Sequence, residues 1–235
     1  MIDQLPPNPV LQEIFRTGML NHPSGQRLKT AANIGPQNSL ALYETVLKHR
    51  PKIVIEIGMA YGISTLSILT ALQKIGTGRL ISIDPYIGWP TGKIVAEHNI
   101  KMAGLGEFHE HIQSFSHLAL PKLLSEGMTV DFAYVDGAHT FDYCFVDFFY
   151  LDKLLVENGI VAFNDCGWRS VHKVICFLDK WRHYKEMDVG LPKKHKGANP
   201  LFSIIKFLEG RSTNDRYFQK TKEWEPPSDA FYRSF

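Results

Sequence analysis

The sequence has few cysteines, no long apolar run and almost no net charge. Its three cysteines include no C-x-x-C pair, which argues against a disulfide framework or a zinc site and favours a reducing compartment. No apolar run approaches the roughly 18 residues that a membrane span needs. The N-terminal MIDQLPPNPV lacks the basic and apolar regions of a signal peptide. A net charge of +2 does not point to a nucleic-acid or membrane partner. We therefore expect a soluble cytoplasmic protein.

Short apolar and β-branched segments recur from residue 50 onward and alternate with helical patterns. Near-continuous apolar segments such as IVIEIG and GIVAFND are typical of strands buried on both faces. Strands recurring at intervals of about 25 residues, with helices between them, predict right-handed βαβ units in an open parallel sheet. The predicted strands are Lys52–Ile57, Arg79–Asp84, His109–Gln113, Val130–Asp136 and Ile160–Asn164, and the predicted helices are Ser64–Lys74, Thr140–Glu157 and Trp168–His183.

The C-terminal part of the sequence departs from this alternation. A strand near Tyr184–Val189 is followed by GLPKKHKGANP and then by the apolar run LFSIIKFLE, with no helix between them. Such a connection suits an antiparallel hairpin rather than a parallel crossover. The patterns divide the chain into an N-terminal helical extension (1–50), an α/β domain (51–209) and a C-terminal tail (210–235). The tail is either docked on the domain or part of a dimer contact.

Polar residues follow the first two predicted strands, at the sheet edge where ligands of open parallel sheets bind. The first strand opens into Gly58–Gly62, where two glycines and the small Ala60 let the backbone turn tightly and approach a ligand. Glu56 lies within this strand and needs a partner, either a cationic ligand amine or the loop amides. Asp84 ends the second strand and either accepts both hydroxyls of a ribose or forms a turn before Pro85.

The segment E-I-G-M-A-Y-G followed by I-S-I-D resembles the motifs of class I S-adenosylmethionine (SAM)-dependent methyltransferases, over roughly residues 35–208. It differs from the dinucleotide-binding G-x-G-x-x-G, because the glycines are four apart and position 60 is alanine. The resemblance implies an α/β, Rossmann-like, doubly wound seven-stranded sheet, mostly parallel with a closing antiparallel hairpin. It also implies a SAM site in which Gly58, Ala60 and Gly62 face the methionine part, Asp84 holds the ribose, and Gln113, Ser114 and Phe115 lie beside the adenine. Tyr61 is a further predicted cofactor-binding residue.

The next two strands also end in polar residues. The fourth ends in Asp136-Gly137-Ala138-His139, and the fifth ends in Asn164-Asp165. Adjacent parallel strands would bring Asp136 and Asp165 together, where two carboxylates repel each other unless a cation lies between them. Oxygen ligands without cysteine select a hard ion such as Mg²⁺, so Asp136, Asp165 and Asn164 are the predicted metal ligands. His139 is placed to take a proton from an acceptor hydroxyl.

The combination Y-V-D-G-A-H with F-N-D resembles the metal-dependent small-molecule O-methyltransferases, notably those that act on sugar hydroxyls. The resemblance implies that Asp136 binds the metal and SAM and that His139 is the catalytic base. Asn164 departs from the usual acidic pair and leaves the site one charge weaker. In the alternative interpretation, Asp136 is an ordinary strand-end residue and His139 is bonded to a carbonyl at a helix start. Trp168 either forms a wall of the acceptor pocket or covers the core.

The leading hypothesis is a SAM-dependent methyltransferase that methylates a hydroxyl of a small acceptor with the help of Mg²⁺. The alternatives are a metal-free SAM methyltransferase in which His139 and Asp136 act directly, a nicotinamide-dependent oxidoreductase, and a non-catalytic SAM-binding relative. The missing G-x-G-x-x-G and the closing hairpin argue against the oxidoreductase. A homodimer, through the N-terminal helices or the aromatic tail, is a further hypothesis.

Overall fold

The computed structural model describes residues 5–30, 34–191, 215–225 and 227. A short 3-10 helix at Gly106–Phe108 precedes the fifth strand. In chain order the helices and strands are α1 (Pro9–Thr17), β1 (Met19–Asn21), β2 (Arg27–Lys29), α2 (Pro36–His49), β3 (Ile53–Ile57), α3 (Ile63–Ile75), β4 (Arg79–Ile83), α4 (Pro90–Met102), β5 (His109–Ile112), α5 (Ser116–Ser125), β6 (Val130–Val135), α6 (Phe141–Leu154), β7 (Leu155–Phe163), α7 (Arg169–Trp181), β8 (Tyr184–Met187) and β9 (Arg216–Lys220).

The large sheet has seven strands in the order β5-β4-β3-β6-β7-β9-β8. Strands β3 to β7 are parallel to one another, and β9 is antiparallel to both of its neighbours, β7 and β8. The chain builds outward from β3 to β5 and then returns to place β6 on the other side of β3. This reversal lies between β3 and β6. The predicted mostly parallel seven-stranded sheet with a closing antiparallel pair is confirmed.

Helices cover both faces of the sheet because successive residues of a buried strand point to opposite sides. In β3, Val54 packs with α1 to α4, whereas Ile55 and Ile57 pack with α5 to α7. The N-terminal helices therefore belong to the core of the domain. Ser39 in α2 and Ser67 in α3 share a buried hydrogen bond of 2.7 Å between their hydroxyls. The hairpin of β1 and β2, between α1 and α2, was not predicted.

Strand β7 begins earlier than the sequence predicts. The predicted helix continued to Glu157 and was stopped by Asn158-Gly159, but α6 ends at Leu154 and these two residues lie inside β7. Asn158 has a φ of 67°, and a Cβ on Gly159 would lie 2.8 Å from the carbonyl oxygen of Val156. The pair therefore forms an irregularity where β7 meets β6, a role that asparagine and glycine suit as well as a helix stop.

The strand that closes the sheet differs from the predicted one. The predicted strand LFSIIKFLE lies outside the described residues, and the strand between β7 and β8 is Arg216–Lys220. This segment belongs to the predicted tail, but its place in the sheet extends the α/β domain past residue 209. Tyr217 and Phe218 are both fully buried. The short segment RYFQK has no extended apolar pattern, and its burial comes from pairing with β7 rather than from its own periodicity.

Within the described ranges, no helix is both long enough and apolar enough to cross a membrane. The cytoplasmic location and the homodimer stay predictions.

Candidate active site

The loop from Gly58 to Gly62 joins β3 to α3 at the carboxyl edge of the sheet. Gly58 has a φ of +86°, and a Cβ there would lie 2.1 Å from the carbonyl oxygen of Asp136. Any larger residue would collide with the backbone that follows β6. Gly62 has a φ of 79° and caps the start of α3. The loop lines a pocket together with Ile34 and Asp136. The glycines thus bring the backbone close to the end of β6 and leave room beside it.

Asp84 holds the glycine loop in place from the neighbouring strand. Its Oδ2 accepts hydrogen bonds from the backbone N–H groups of Met59 and Ala60, both at 3.0 Å. Its Oδ1 accepts the N–H of Tyr86 at 2.9 Å, which is the turn expected in the alternative interpretation. The residue predicted to hold the ribose therefore also organises the backbone that faces the ligand.

Tyr86 also holds the glycine loop in place, a role that the sequence did not reveal. Its hydroxyl donates a 2.6 Å hydrogen bond to the carbonyl oxygen of Ala60. Burial raises the pKa of the Tyr86 phenol, so it remains a donor at neutral pH. Its φ of 48° is unusual for a non-glycine residue. The turn at Asp84 gives a local signal, but only the fold shows that Tyr86 reaches the glycine loop.

Glu56 is fully buried beneath this loop. Its Oε2 accepts hydrogen bonds from the hydroxyls of Thr65 and Ser82, both at 2.7 Å, rather than from loop amides. Ser64 is close, but no donor among the described residues is aligned with Oε1. Burial raises the pKa of Glu56, and the nearby hydroxyls oppose that effect. In the described part of the chain, Oε1 of this carboxylate therefore has the Ser64 hydroxyl nearby but no aligned donor.

The predicted adenine residues follow β5, beside the end of β4. The backbone N–H of Asp84 donates to the carbonyl oxygen of Ile112 at 3.3 Å, which joins the two strand ends. Gln113 accepts a 2.8 Å hydrogen bond from Nζ of Lys93 on the surface, and the ring of Phe115 stacks on that of His117 with centroids 5.2 Å apart. These contacts put Gln113, Ser114 and Phe115 at the same edge as Asp84. They do not by themselves define an adenine pocket.

Asp136, His139 and Asp165 come together at the ends of β6 and β7. Nε2 of His139 lies 3.6 Å from Oδ1 of Asp136 and 3.0 Å from Oδ2 of Asp165. Neither oxygen lies along the hydrogen-bonding direction of the ring, so Nε2 has no aligned partner among the described residues. The half-exposed ring of Trp168 lies 5.4 Å from the imidazole. The arrangement leaves a basic nitrogen between two carboxylates, beside an aromatic surface.

A further carboxylate, Asp215, belongs to this edge and was missed from the sequence. It immediately precedes β9, which runs antiparallel, so the start of β9 lies where the parallel strands end. Burial raises the pKa of Asp215 to about 7, while hydrogen bonds from Tyr134, Asn164 and Asn38 oppose this shift. Burial, followed by the charge of Asp215, holds the pKa of Asp136 well above its usual range. Such a residue is recognised in the sequence only if the residues that precede a strand are considered as well as those that follow one.

The donor set does not fit the predicted Mg²⁺ site in this arrangement. The imidazole of His139 occupies the space between Asp136 and Asp165 that an ion would need. Nδ2 of Asn164 donates to Asp215 at 2.8 Å, so this amide is committed to a neighbouring carboxylate. Across the described ranges, no three His, Cys, Asp or Glu side chains are arranged to hold a metal ion.

Comparisons with known proteins agree with this fold. A family model described as a methyltransferase domain matches residues 55–166. An O-methyltransferase from Bacillus cereus in complex with S-adenosylhomocysteine (SAH) is 16% identical, with a TM-score of 0.62 over 77% of this chain and 84% of that one.

Two further solved structures cover more of the chain. A SAH-bound methyltransferase from Podospora anserina is 16% identical, with a TM-score of 0.63 over 92% of this chain and 88% of that one. A protein from Klebsiella pneumoniae is 14% identical, with a TM-score of 0.69 over 94% of this chain and 93% of that one. At these identities the likeness shows the fold. No curated protein sequence matches the chain.

Proposed function

We propose that the chain is a SAM-dependent methyltransferase, since a methyltransferase-domain model matches residues 55–166, and that it methylates a hydroxyl group of a small molecule. His139 is the base in this reaction. The observation that carries the proposal is the position of its Nε2, 3.0 Å from Asp165 and 3.6 Å from Asp136, with no aligned partner in the described part of the chain. The relatives named O-methyltransferases support oxygen as the methylated atom.

In the proposed complex, SAM lies against the glycine loop. Gly58, Ala60, Tyr61 and Gly62 face its methionine part, the carboxylate of Asp84 reaches the ribose, and Gln113, Ser114 and Phe115 border the adenine. SAM carries an ammonium and a sulfonium charge. The fully buried carboxyl of Glu56 and the partly exposed carboxyl of Asp136 have raised pKa values that a nearby cation would lower. The unpartnered Oε1 of Glu56 supports the ammonium as its ligand.

The proposed chemistry is a displacement at the methyl carbon. Nε2 of His139 takes the proton of the acceptor hydroxyl as the oxygen attacks the methyl group in line. A new O–C bond forms and the C–S bond breaks, and its electron pair goes to sulfur to give SAH. The carboxylate of Asp165, 3.0 Å away, stabilises the imidazolium that results. Trp168 provides an apolar wall on which the acceptor packs.

The Mg²⁺-assisted version of this reaction is the competing proposal. It requires His139 to leave the space between Asp136 and Asp165 and Asn164 to turn its oxygen toward the ion. We favour the metal-free version because Asn164 is held by Asp215. Turnover that is unchanged after EDTA treatment would support it, and turnover that EDTA abolishes and Mg²⁺ restores would establish the metal.

The function is tested by methyl transfer from SAM to a panel of phenols, catechols and sugars, detected by mass spectrometry. His139→Ala should lower turnover by about 100-fold or more, since a positioned base contributes at least that factor. It should leave SAH affinity within about twofold of wild type, because the imidazole acts on the acceptor. His172→Ala, an exposed histidine on α7, is the matched control. Normal turnover by His139→Ala would remove His139 from the mechanism, and a chain that binds SAH but methylates nothing would favour the non-catalytic relative.

A further inference from the structure

Asp215 links three parts of the fold at the edge where SAM binds. In the antiparallel pair of β7 and β9, Phe163 lies opposite Arg216, so Asp215 lies opposite Asn164. The side chain of Asp215 is nearly completely buried, with the residue 3% exposed. An ionised carboxylate in such a place must be satisfied by hydrogen bonds or by a cation.

Three neutral side chains donate hydrogen bonds to this carboxylate. Nδ2 of Asn38 and Nδ2 of Asn164 donate to Oδ1 at 2.7 and 2.8 Å. The hydroxyl of Tyr134 donates to Oδ2 at 2.9 Å. The donors come from α2, from the end of β7 and from β6. A buried donor that loses its acceptor is costly, so the three bonds to one carboxyl hold these elements together.

The contact with Asn38 extends to the SAM pocket. Asn38 lies in the first turn of α2, and Ile34 lies just before that helix. Ile34 is buried and lines the same pocket as Gly58, Tyr61 and Asp136. Pro36 at the helix start restricts the backbone between Ile34 and Asn38. The hydrogen bond from Asn38 to Asp215 therefore also fixes the position of Ile34 relative to the glycine loop.

We propose that Asp215 is a positioning residue for the SAM site: its carboxylate binds Asn38 and Asn164 together and thereby holds Ile34 as a wall of the pocket around Gly58–Gly62. The N-terminal extension is then part of the cofactor site rather than an accessory to it. The inference rests on SAM binding at the glycine loop, which the proposed function also requires.

The test is calorimetric titration of the full chain with SAH. Asn38→Ala removes the link to α2 and leaves the other two donors to Asp215. We expect it to raise the Kd for SAH by about tenfold, the effect of one lost hydrogen bond to a charged group. Ser39→Ala is the matched control, because it removes the buried hydrogen bond to Ser67 from the next residue of the same helix. It should lower the melting temperature but leave the Kd within about twofold, since it does not touch Asp215.

An exchange of partners separates positioning from a general loss of stability. Asn38→Asp places a second carboxylate against Asp215 and should weaken SAH binding at least as much as Asn38→Ala does. Combining it with Asp215→Asn removes the repulsion between the two carboxylates, so the double variant should bind SAH more tightly than Asn38→Asp alone.

Several outcomes would overturn the proposal: an unchanged Kd in Asn38→Ala, an equal loss of affinity in Ser39→Ala, or no recovery in the exchange. A wild-type protein that does not bind SAH would instead contradict the proposed function itself.

Discussion

The two edges of the large sheet differ in how their carboxyl groups are surrounded: at one edge a carboxylate is paired with cations, and at the other several carboxyls lie close together. At the edge where β7 and β8 begin, Asp152 accepts hydrogen bonds from Nε of Arg182 at 3.1 Å and from the hydroxyl of Tyr184 at 2.7 Å. Nζ of Lys220 lies 3.8 Å from the same carboxylate. At the opposite edge, burial raises the pKa of both Asp136 and Asp215, the charge of Asp215 raises that of Asp136 further, and the side chains that donate to Asp215 are neutral.

This difference indicates which edge evolved for a ligand. A paired charge at a sheet edge stabilises the fold, and Nζ of Lys220 also satisfies the carbonyl oxygens of Asp152 and Leu155 at the end of α6. Crowded carboxyls with raised pKa values destabilise the empty protein and cluster at functional sites. A cofactor that carries positive charge supplies what the carboxyl edge lacks. Charge balance thus points to the same edge as the glycine loop.

The largest change in the free energy of unfolding is expected from removing the ammonium group of Lys220 at the edge where Asp152 is paired. Lys220→Met should lower the free energy of unfolding by about 3 kcal/mol, because it leaves buried acceptors and part of the charge of Asp152 without a partner. Lys222→Met, an exposed lysine two residues away, is the control and should change little. Urea unfolding followed by circular dichroism measures both variants. An equal loss in the two, or a large change in SAH affinity for Lys220→Met, would contradict the separation of roles.

The sequence predicted most of the carboxyl edge because a simple rule applies to it. Short apolar strands end in polar residues, and that pattern is visible at Glu56, Asp84, Asp136 and Asp165. Of the five strands predicted between residues 52 and 164, the four that correspond to β3 to β6 lie within one residue of their predicted bounds. The metal assignment also followed from residue types alone, whereas the position of the imidazole between the carboxylates depends on side-chain packing.

The residues that the sequence did not reveal depend on tertiary pairing. Asp215 reaches the site only because β9 enters the sheet in the antiparallel direction, and RYFQK is too short to show this. Lys220, at the other end of β9, reaches the paired edge for the same reason. Asn158-Gly159 fits both a helix stop and a strand irregularity, and the pairing of Leu155 with Val130 of β6, ahead of these two residues, decides for the strand.

The same substitution at the two edges gives the sharpest comparison. Asp152→Asn should lower the free energy of unfolding by about 2 kcal/mol, because it leaves Arg182 and Lys220 without their counter-charge. Asp136→Asn should leave the empty protein as stable as wild type or stabilise it by about 1 kcal/mol, since it removes a crowded carboxyl.

The cofactor distinguishes the two variants further. Asp136→Asn should weaken SAM more than SAH, by about fivefold in the ratio of their Kd values, because only SAM carries the sulfonium charge. Urea unfolding and calorimetry give both quantities. A loss of stability in Asp136→Asn as large as that in Asp152→Asn would show that the carboxyl edge is paired after all.

The smallest expected effect is a change of stability with pH, and it has a definite sign. The folded-state pKa of Asp215 is about 7, above its ordinary value of 3.8, so the folded chain holds this proton more tightly than the unfolded chain. The contribution of this proton to the free energy of unfolding is fully present below pH 4 and is lost as the pH rises through 7. Between pH 6.5 and 8 the free energy of unfolding of the empty protein should therefore fall by about 1 kcal/mol.

The pH window matters because buried histidines act in the opposite direction. Burial lowers the pKa of His109 to about 4, so its effect favours the folded state as the pH rises toward 6.5 and is nearly complete above that value. Urea unfolding of wild type and Asp215→Asn at pH 6.5, 7.2 and 8 isolates the contribution of Asp215. A slope that persists in Asp215→Asn would assign it to other groups at this edge, Asp136 first. A wild-type stability that rises across the window would mean that the carboxyl edge already holds its charges in pairs, as the opposite edge does.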